Sequence, residues 1–166
     1  MPSIRRTKPR IKTNLLEGAK RLLDLLKEFF DHREFLLKDA TLNNALRRYE
    51  TLWLPLLNSF EGKALLIPPR DVYLLWLCHM LSPESYNADC QSLINKTPKH
   101  SLKNKSERTS GLKKSREEWE RRYPKEPFDI NAATTQEAHS SSISVPLQEC
   151  ARIFIEFAYQ VGLPHY

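Results

Sequence analysis

Pro68-Pro69-Arg70-Asp71-Val72-Tyr73-Leu74-Leu75-Trp76-Leu77-Cys78-His79-Met80-Leu81 is the stretch whose reading decides the fold class. Two prolines preset the backbone for a helix start, and Asp71 stands at the positive end of the helix that follows. Beyond Asp71 the stretch is apolar on nearly every side. A helix apolar all round is a buried one, so the spacing predicts a central helix over 70–81 wrapped by others.

Reading outward from it, the same periodicity recurs. Leu15, Leu22, Leu26, Phe29 and Phe30 follow helical spacing over about 14–31, with Thr13 or Asn14 as cap. Leu42, Ala45, Leu46, Tyr49, Trp53 and Leu57 give a second helix from Asp39 or Thr41 to about 54–58. Pro55 lies inside that pattern and is expected to kink or end it, because it lacks an N–H and crowds the preceding turn. Ser82-Pro83-Glu84 opens a fourth helix over about 83–95. Leu112, Trp119 and Tyr123 mark a fifth, about 111–122, stopped by Pro124. Leu147, Cys150, Ala151, Phe154 and Phe157 mark a sixth, about 146–161. Only 4 glycines in 166 residues argue against a hairpin-rich sheet, so the expected fold is all-α, about six helices.

The expected organisation is a basic tail at 1–13, a helical domain at 14–123 with a mobile basic loop at 96–110, a linker at 124–145 and a terminal helix at 146–166. Ile153-Phe154-Ile155-Glu156-Phe157 is patterned like Leu25-Leu26-Lys27-Glu28-Phe29, so the terminal helix reads as the start of a second unit in a chain that stops early. The alternative is that it docks back and closes one domain.

Charge is unevenly spread. The first 16 residues hold five bases and no acid, and residues 96–116 hold eight bases against Glu107. In a chain of net charge +6 this leaves a mildly acidic body. Three cysteines without a CxxC pair point to a reducing compartment, read here as cytoplasmic. No run of 18 apolar residues predicts a membrane span.

Asp71, Cys78, His79, Tyr86 and Cys90 form the densest group of reactive side chains. Cys78, His79 and Cys90 suit a soft metal. Yet Cys78 and His79 are neighbours on one helix and diverge by about 100°, and no second ligand pair has finger-like spacing. They read as small buried fillers and a histidine near a helix end, so no metal, cofactor or catalytic residue is assigned. A nucleophilic cysteine also needs a base within reach, which adjacent helical positions do not supply. Gly62-Lys63 lacks the remaining residues of a phosphate loop. Trp53, Trp76 and Trp119 read as core anchors. Arg47-Arg48-Tyr49 and Arg121-Arg122-Tyr123 read as helix-end charges over the core, with anion contact as the functional alternative.

Three motifs come in a recognisable order. The first is Ala45…Arg48-Tyr49…Trp53-Leu54-Pro55-Leu56-Leu57. The second runs from Leu66-Ile67-Pro68-Pro69-Arg70-Asp71-Val72 through Trp76…Cys78-His79-Met80-Leu81-Ser82-Pro83 to Tyr86 and Asp89-Cys90. The third is Trp119…Arg122-Tyr123-Pro124…Glu126-Pro127-Phe128. Together they resemble the N-terminal helical region of the glycine-rich-domain-containing proteins of plants and their eukaryotic relatives. The resemblance implies a helical domain of unknown biochemical role. Some relatives carry paired histidines in the second motif. Leu77 occupies the first of those positions here, so that pair is not carried over. The expected function is therefore a non-enzymatic interaction or scaffold module with a protein partner that the sequence does not identify. The alternative is RNA binding through the basic segments 1–16 and 96–116 by counterion release.

Overall fold

The computed structural model describes residues 14–60, 65–130 and 139–160. The expected tail at 1–13 and Gly62-Lys63 lie outside them. Every regular element among the described residues is helical: α1 (Leu15–Asp31), α2 (Arg33–Leu36), α3 (Asp39–Arg48), a π-helical turn (Tyr49–Trp53), α4 (Leu54–Ser59), α5 (Arg70–Met80), α6 (Pro83–Ile94), α7 (Lys105–Arg122) and α8 (Leu147–Gln160). No described helix is long and apolar enough to cross a membrane.

α5 is the axis of the molecule, as its all-round apolarity predicts. Every side chain from Asp71 to Cys78 is buried, and His79 is fully so. The π-turn, α3, α6 and α8 pack around it. α8 buries Leu147, Ala151 and Ile155 in the same core as α5, while its Ala158 packs with Leu26 of α1. Trp53 and Trp76 meet edge-on with ring centres 5.8 Å apart, a geometry that suits the opposed charges of ring face and edge.

Pro55 neither ends nor breaks its helix. α3, the π-turn and α4 run on as one rod over 39–59, in which Leu54 N–H reaches back five residues to the Tyr49 carbonyl. The wider turn just ahead of Pro55 gives the ring room and absorbs its missing donor. Tyr49, Glu50 and Trp53 of this turn are all buried.

Two stretches expected as mobile connectors are ordered. Of the 96–110 loop, residues 105–110 are the first turns of α7. Asn104 Oδ1 accepts from Glu107 N–H at 2.9 Å, and the Glu107 carboxylate accepts from Asn104 N–H at 3.1 Å. This reciprocal cap starts the helix despite the surrounding lysines. The remaining loop is pinned at Pro98, whose carbonyl takes the Tyr86 hydroxyl at 2.8 Å, and at Leu102, whose carbonyl takes Arg21 at 3.2 Å. Residues 124–130 and 139–145 of the supposed linker also lie on the core, through Phe128 and Ile143. Residues 131–138 lie outside the described set.

The terminal helix, expected either to begin a second unit or to dock back, is packed on the helices before it. α8 docks on α1, α3 and α5. Phe154 is half-buried, while Phe157 and Tyr159 remain about half exposed at 51% and 48%.

α7 lies close against residues 65–69 because of one glycine. A Cβ at Gly111 would come within 2.6 Å of Ile67 Cγ1, while Ser115, four residues on, takes the Ile67 N–H on its hydroxyl at 2.7 Å. Gly→Ala in a helix ordinarily gains about 1 kcal/mol. Here the crowded Ile67 branch should reverse the sign, and Gly111→Ala should lose a net ~1–2 kcal/mol by overpacking. Urea unfolding of the two proteins checks this, and a gain in stability would contradict it.

Candidate functional site

The reactive side chains picked out in the sequence do not all converge. Cys78 and Cys90 are buried free thiols, and burial pushes their pKa values up to about 12 and about 11. Among the described residues no group of three or more His, Cys, Asp or Glu side chains is placed to hold a metal. Asp71 and His79 enter two separate buried polar assemblies, and Tyr86 enters a further link with Trp76.

The first centres on Arg48, whose side chain is 0% exposed. Its Nε lies 2.9 Å from Asp71 Oδ2, an ionic contact held off the ideal hydrogen-bond line. Its Nη1 and Nη2 donate to the carbonyls of Pro127 and Phe128, each at 2.6 Å. The guanidinium also lies over the Trp119 ring at 4.9 Å. Burial pushes the Asp71 carboxyl up, against the pull of Arg48 and of the Val72 and Asp71 N–H groups. The anion contact envisaged for Arg48 is thus made inside the protein. Arg47 pairs with Glu126 at 2.8 Å and Arg121 with Glu118 at 2.9 Å, while Arg122 lies over its neighbour Tyr123.

The second assembly is a chain of hydrogen bonds through the core. The Tyr49 hydroxyl meets His79 Nδ1 at 2.9 Å, and His79 Nε2 meets Asp89 Oδ2 at 3.1 Å. The same oxygen accepts from Ser144 N–H and from its hydroxyl, each at 2.9 Å. Burial pushes Tyr49 well up, so its hydroxyl keeps its proton. Burial also lowers His79, more than the Asp89 carboxylate raises it. A neutral imidazole that donates from Nε2 to Asp89 and accepts on Nδ1 from Tyr49 satisfies every partner. Phenol, imidazole and carboxylate in series are the parts of an acid–base relay. Here Tyr49 and His79 are fully buried and Asp89 nearly so, and Ser144 on a connector closes the end.

Two more links follow the same plan. Trp76 Nε1 donates to the Tyr86 hydroxyl at 3.0 Å, and the Tyr73 hydroxyl meets His100 Nε2 at 2.8 Å. Glu50, in the π-turn, accepts from Ser141 Oγ at 2.7 Å, His139 Nε2 at 2.9 Å and Ser142 N–H at 2.9 Å. Burial alone would raise the Glu50 carboxyl, but these bonds together hold it below its ordinary value. Sequence reading missed Glu50, Asp89 and Ser144. The bonds that join Glu50 and Asp89 to the connector at 139–144 span 55 to 92 residues of chain, and no local spacing betrays that.

Four of the eight bases at 96–116 are ion-paired. Lys103 pairs with Glu107, Arg108 with Glu28, Lys114 with Glu117 and Glu118, and Arg116 with Asp129.

Comparison with known proteins adds a family. A family model described as glycine-rich domain-containing protein-like matches the chain over residues 2–89 and 85–166. The chain is 30% identical over 161 residues to glycine-rich domain-containing protein 1 of Arabidopsis thaliana, covering 94% of this chain and 20% of that protein. It is 35% identical over 130 residues to glycine-rich domain-containing protein 2 of the same plant, covering 74% of this chain and 16% of that protein. The chain therefore spans a fifth or less of the length of these curated relatives. No solved structure matches.

Asp71→Asn should leave Arg48 buried beside a neutral partner and cost ~3–5 kcal/mol in urea unfolding. Arg48→Met with Asp71→Leu should recover part of that loss, short of all, because the Pro127 and Phe128 carbonyls stay orphaned. A single substitution costing under ~1 kcal/mol would show that the pair does not hold the core.

Stability should also fall in acid. Burial lowers the His100 pKa from 6.5 to about 4, with Lys103 adding to the effect. Below its unfolded value the unfolded chain takes up a proton that the folded chain refuses, so stability is lost as pH falls from 6.5 toward about 4. The expected loss is ~2 kcal/mol, allowing for the partial exposure of the ring. Thermal unfolding across this range should be less pH-dependent in His100→Gln, and equal dependence in the two proteins would refute the assignment.

Proposed function

The chain belongs to the glycine-rich domain-containing protein-like family, and on that footing we propose that it is a non-enzymatic helical module that binds a protein partner. The observation that carries this reading is the division of labour between inside and surface. Tyr49, His79, Asp89, Cys78 and Cys90, the side chains with acid–base or nucleophilic chemistry, are buried. His79 has a partner on each ring nitrogen, and the Asp89 oxygen it meets holds the backbone at Ser144. These groups are used as internal struts. Meanwhile α8 presents Ile153, Phe157 and Tyr159, which are 63%, 51% and 48% exposed. Ile153 and Phe157 are four residues apart and so share one helical face. Apolar side chains grouped in this way on a well-packed body suit a protein contact. The free thiols of Cys78, Cys90 and Cys150 accord with a reducing compartment, which we take to be the cytoplasm.

RNA binding is the alternative from another class. It would rest on Lys96 and Lys99 of the exposed loop and on the basic residues at 1–12. The ion pairs along α7 weigh against it, since a paired base releases fewer counterions when it meets a phosphate.

One pair of measurements separates the two. A photoreactive phenylalanine analogue placed at Phe157 in cells should cross-link one discrete partner, and Ile153→Asp should abolish the product. The same analogue at Lys113, on α7, should give none. Filter binding to RNA at about 0.15 M salt should show no tight complex. A tight RNA complex together with no discrete cross-link at position 157 would replace the protein-binding reading with the RNA one.

A further inference from the structure

Apart from the buried chain and the face of α8, the protein has a cleft of about 400 Å³. It lies between α1, residues 67–68, the start of α5, α7 and residues 128–129. Its floor is apolar and partly aromatic, with Phe29, Ile67 and Phe128 all buried. Its rim is basic. Arg70, Lys105, Arg108 and Arg116 line it against the carboxylates of Glu28 and Asp129, which leaves a net charge of +2.

The way these charges are held is informative. Glu28 spans two guanidiniums, with Oε1 3.2 Å from Arg70 Nε and Oε2 3.3 Å from Arg108 Nη2. Both contacts are longer than the roughly 2.7–2.9 Å of a firm charge-assisted bond. Arg108 is 9% exposed, yet its Nη1 meets no hydrogen-bond acceptor among the described residues. A buried guanidinium with an unspent donor is costly, and its Nη2, held only loosely by Glu28 at 3.3 Å, is the donor on the cleft side that an anion would take.

We propose that this cleft binds a phosphate monoester carried on a compact apolar body. A phosphate dianion matches the surplus of two positive charges, whereas a carboxylate would leave one unmet. Guanidiniums grip phosphate oxygens in pairs, and Arg70 and Arg108 already share one oxyanion group in Glu28. The apolar floor takes the body of the ligand, and the volume falls in the range of small-molecule sites. Glu28 is the group the phosphate displaces or shares the arginines with. The cleft shares no residue with the exposed face of α8, so failure here leaves the protein-binding reading standing.

Calorimetric titration of the full chain with phenyl phosphate at low salt tests the proposal. Phenyl phosphate should bind about tenfold or more tightly than either inorganic phosphate or phenol, since each supplies only half of the match. Arg70→Gln should weaken it about tenfold by removing one charge-assisted contact. Glu28→Gln should tighten it, because a competing carboxylate is gone. Arg108→Gln should weaken it as well and is read beside its own unfolding curve. Arg70 is partly exposed, which keeps its variant independent of folding. Phenyl phosphate binding no more tightly than phenol, or no more tightly than inorganic phosphate, overturns the proposal. So does an affinity that neither Arg70→Gln nor Glu28→Gln moves.

Discussion

A guanidinium cannot be taken wholly out of water unless every side of it is answered, and Arg48 sets that condition for the whole molecule. Its charge is met by Asp71 at the first turn of α5, its donors by two carbonyls of the 127–128 segment, and its flat face by Trp119 of α7. Three parts of the chain far apart in sequence are thereby placed around the end of α3. The carbonyl of the buried Phe128 would otherwise lack a donor, so the dependence runs both ways. A buried ion pair of this kind adds little net stability over an apolar substitute. What it supplies is position, since only one arrangement of α3, α5, α7 and the 127–128 segment meets all its requirements at once.

The same device recurs at lower stakes. Glu50 holds the backbone and side chains of 139–142, and Asp89 holds Ser144. Tyr86 and Tyr73 hold Pro98 and His100. In each case a polar side chain fixed on a helix reaches a connector that has no regular structure. A connector without a ladder of its own must satisfy its backbone through such contacts or through water. The helices thus act as a frame, and buried polar groups stitch the intervening chain to it. This accounts for a phenol–imidazole–carboxylate series in a closed interior, where Tyr49, His79 and Asp89 locate the α6 side of the core and bind residue 144.

What remains outside that stitching carries the interest for function. The arginines around Glu28 line an open cleft, and Arg108 is among the buried side chains there with a donor unspent. Ile153, Phe157 and Tyr159 are among the large apolar residues left exposed, and these three share α8. Neither place involves the histidine and cysteines that first draw attention in the sequence. The side chains with acid–base or nucleophilic chemistry lie inside, and the arginines and apolar residues of these two places owe their setting to the tertiary structure.

The helices themselves were legible. The all-round apolarity of 70–81 located the axis of the core, and the periodicities of 15–30 and 147–158 located the helices against it, because a periodic burial demand is written in neighbouring residues. The chain also carried a cap at Asn104 and Glu107, but the surrounding lysines masked it and made the first turns of α7 look like loop. The helix that continues through Pro55 was hidden for a different reason, since a π-turn is a backbone adjustment with no residue signature of its own. Where Arg48, Glu50, Asp89 and Ser144 find their partners was not legible at all. By itself the sequence determined which segments are helical and which face of each seeks burial, since those depend on contacts within a few residues. Which buried charge meets which, and which partners a buried histidine finds on its two ring nitrogens, was decided by the tertiary structure. A hydrogen bond across 30 or 90 residues exists only once the chain between its ends has been folded.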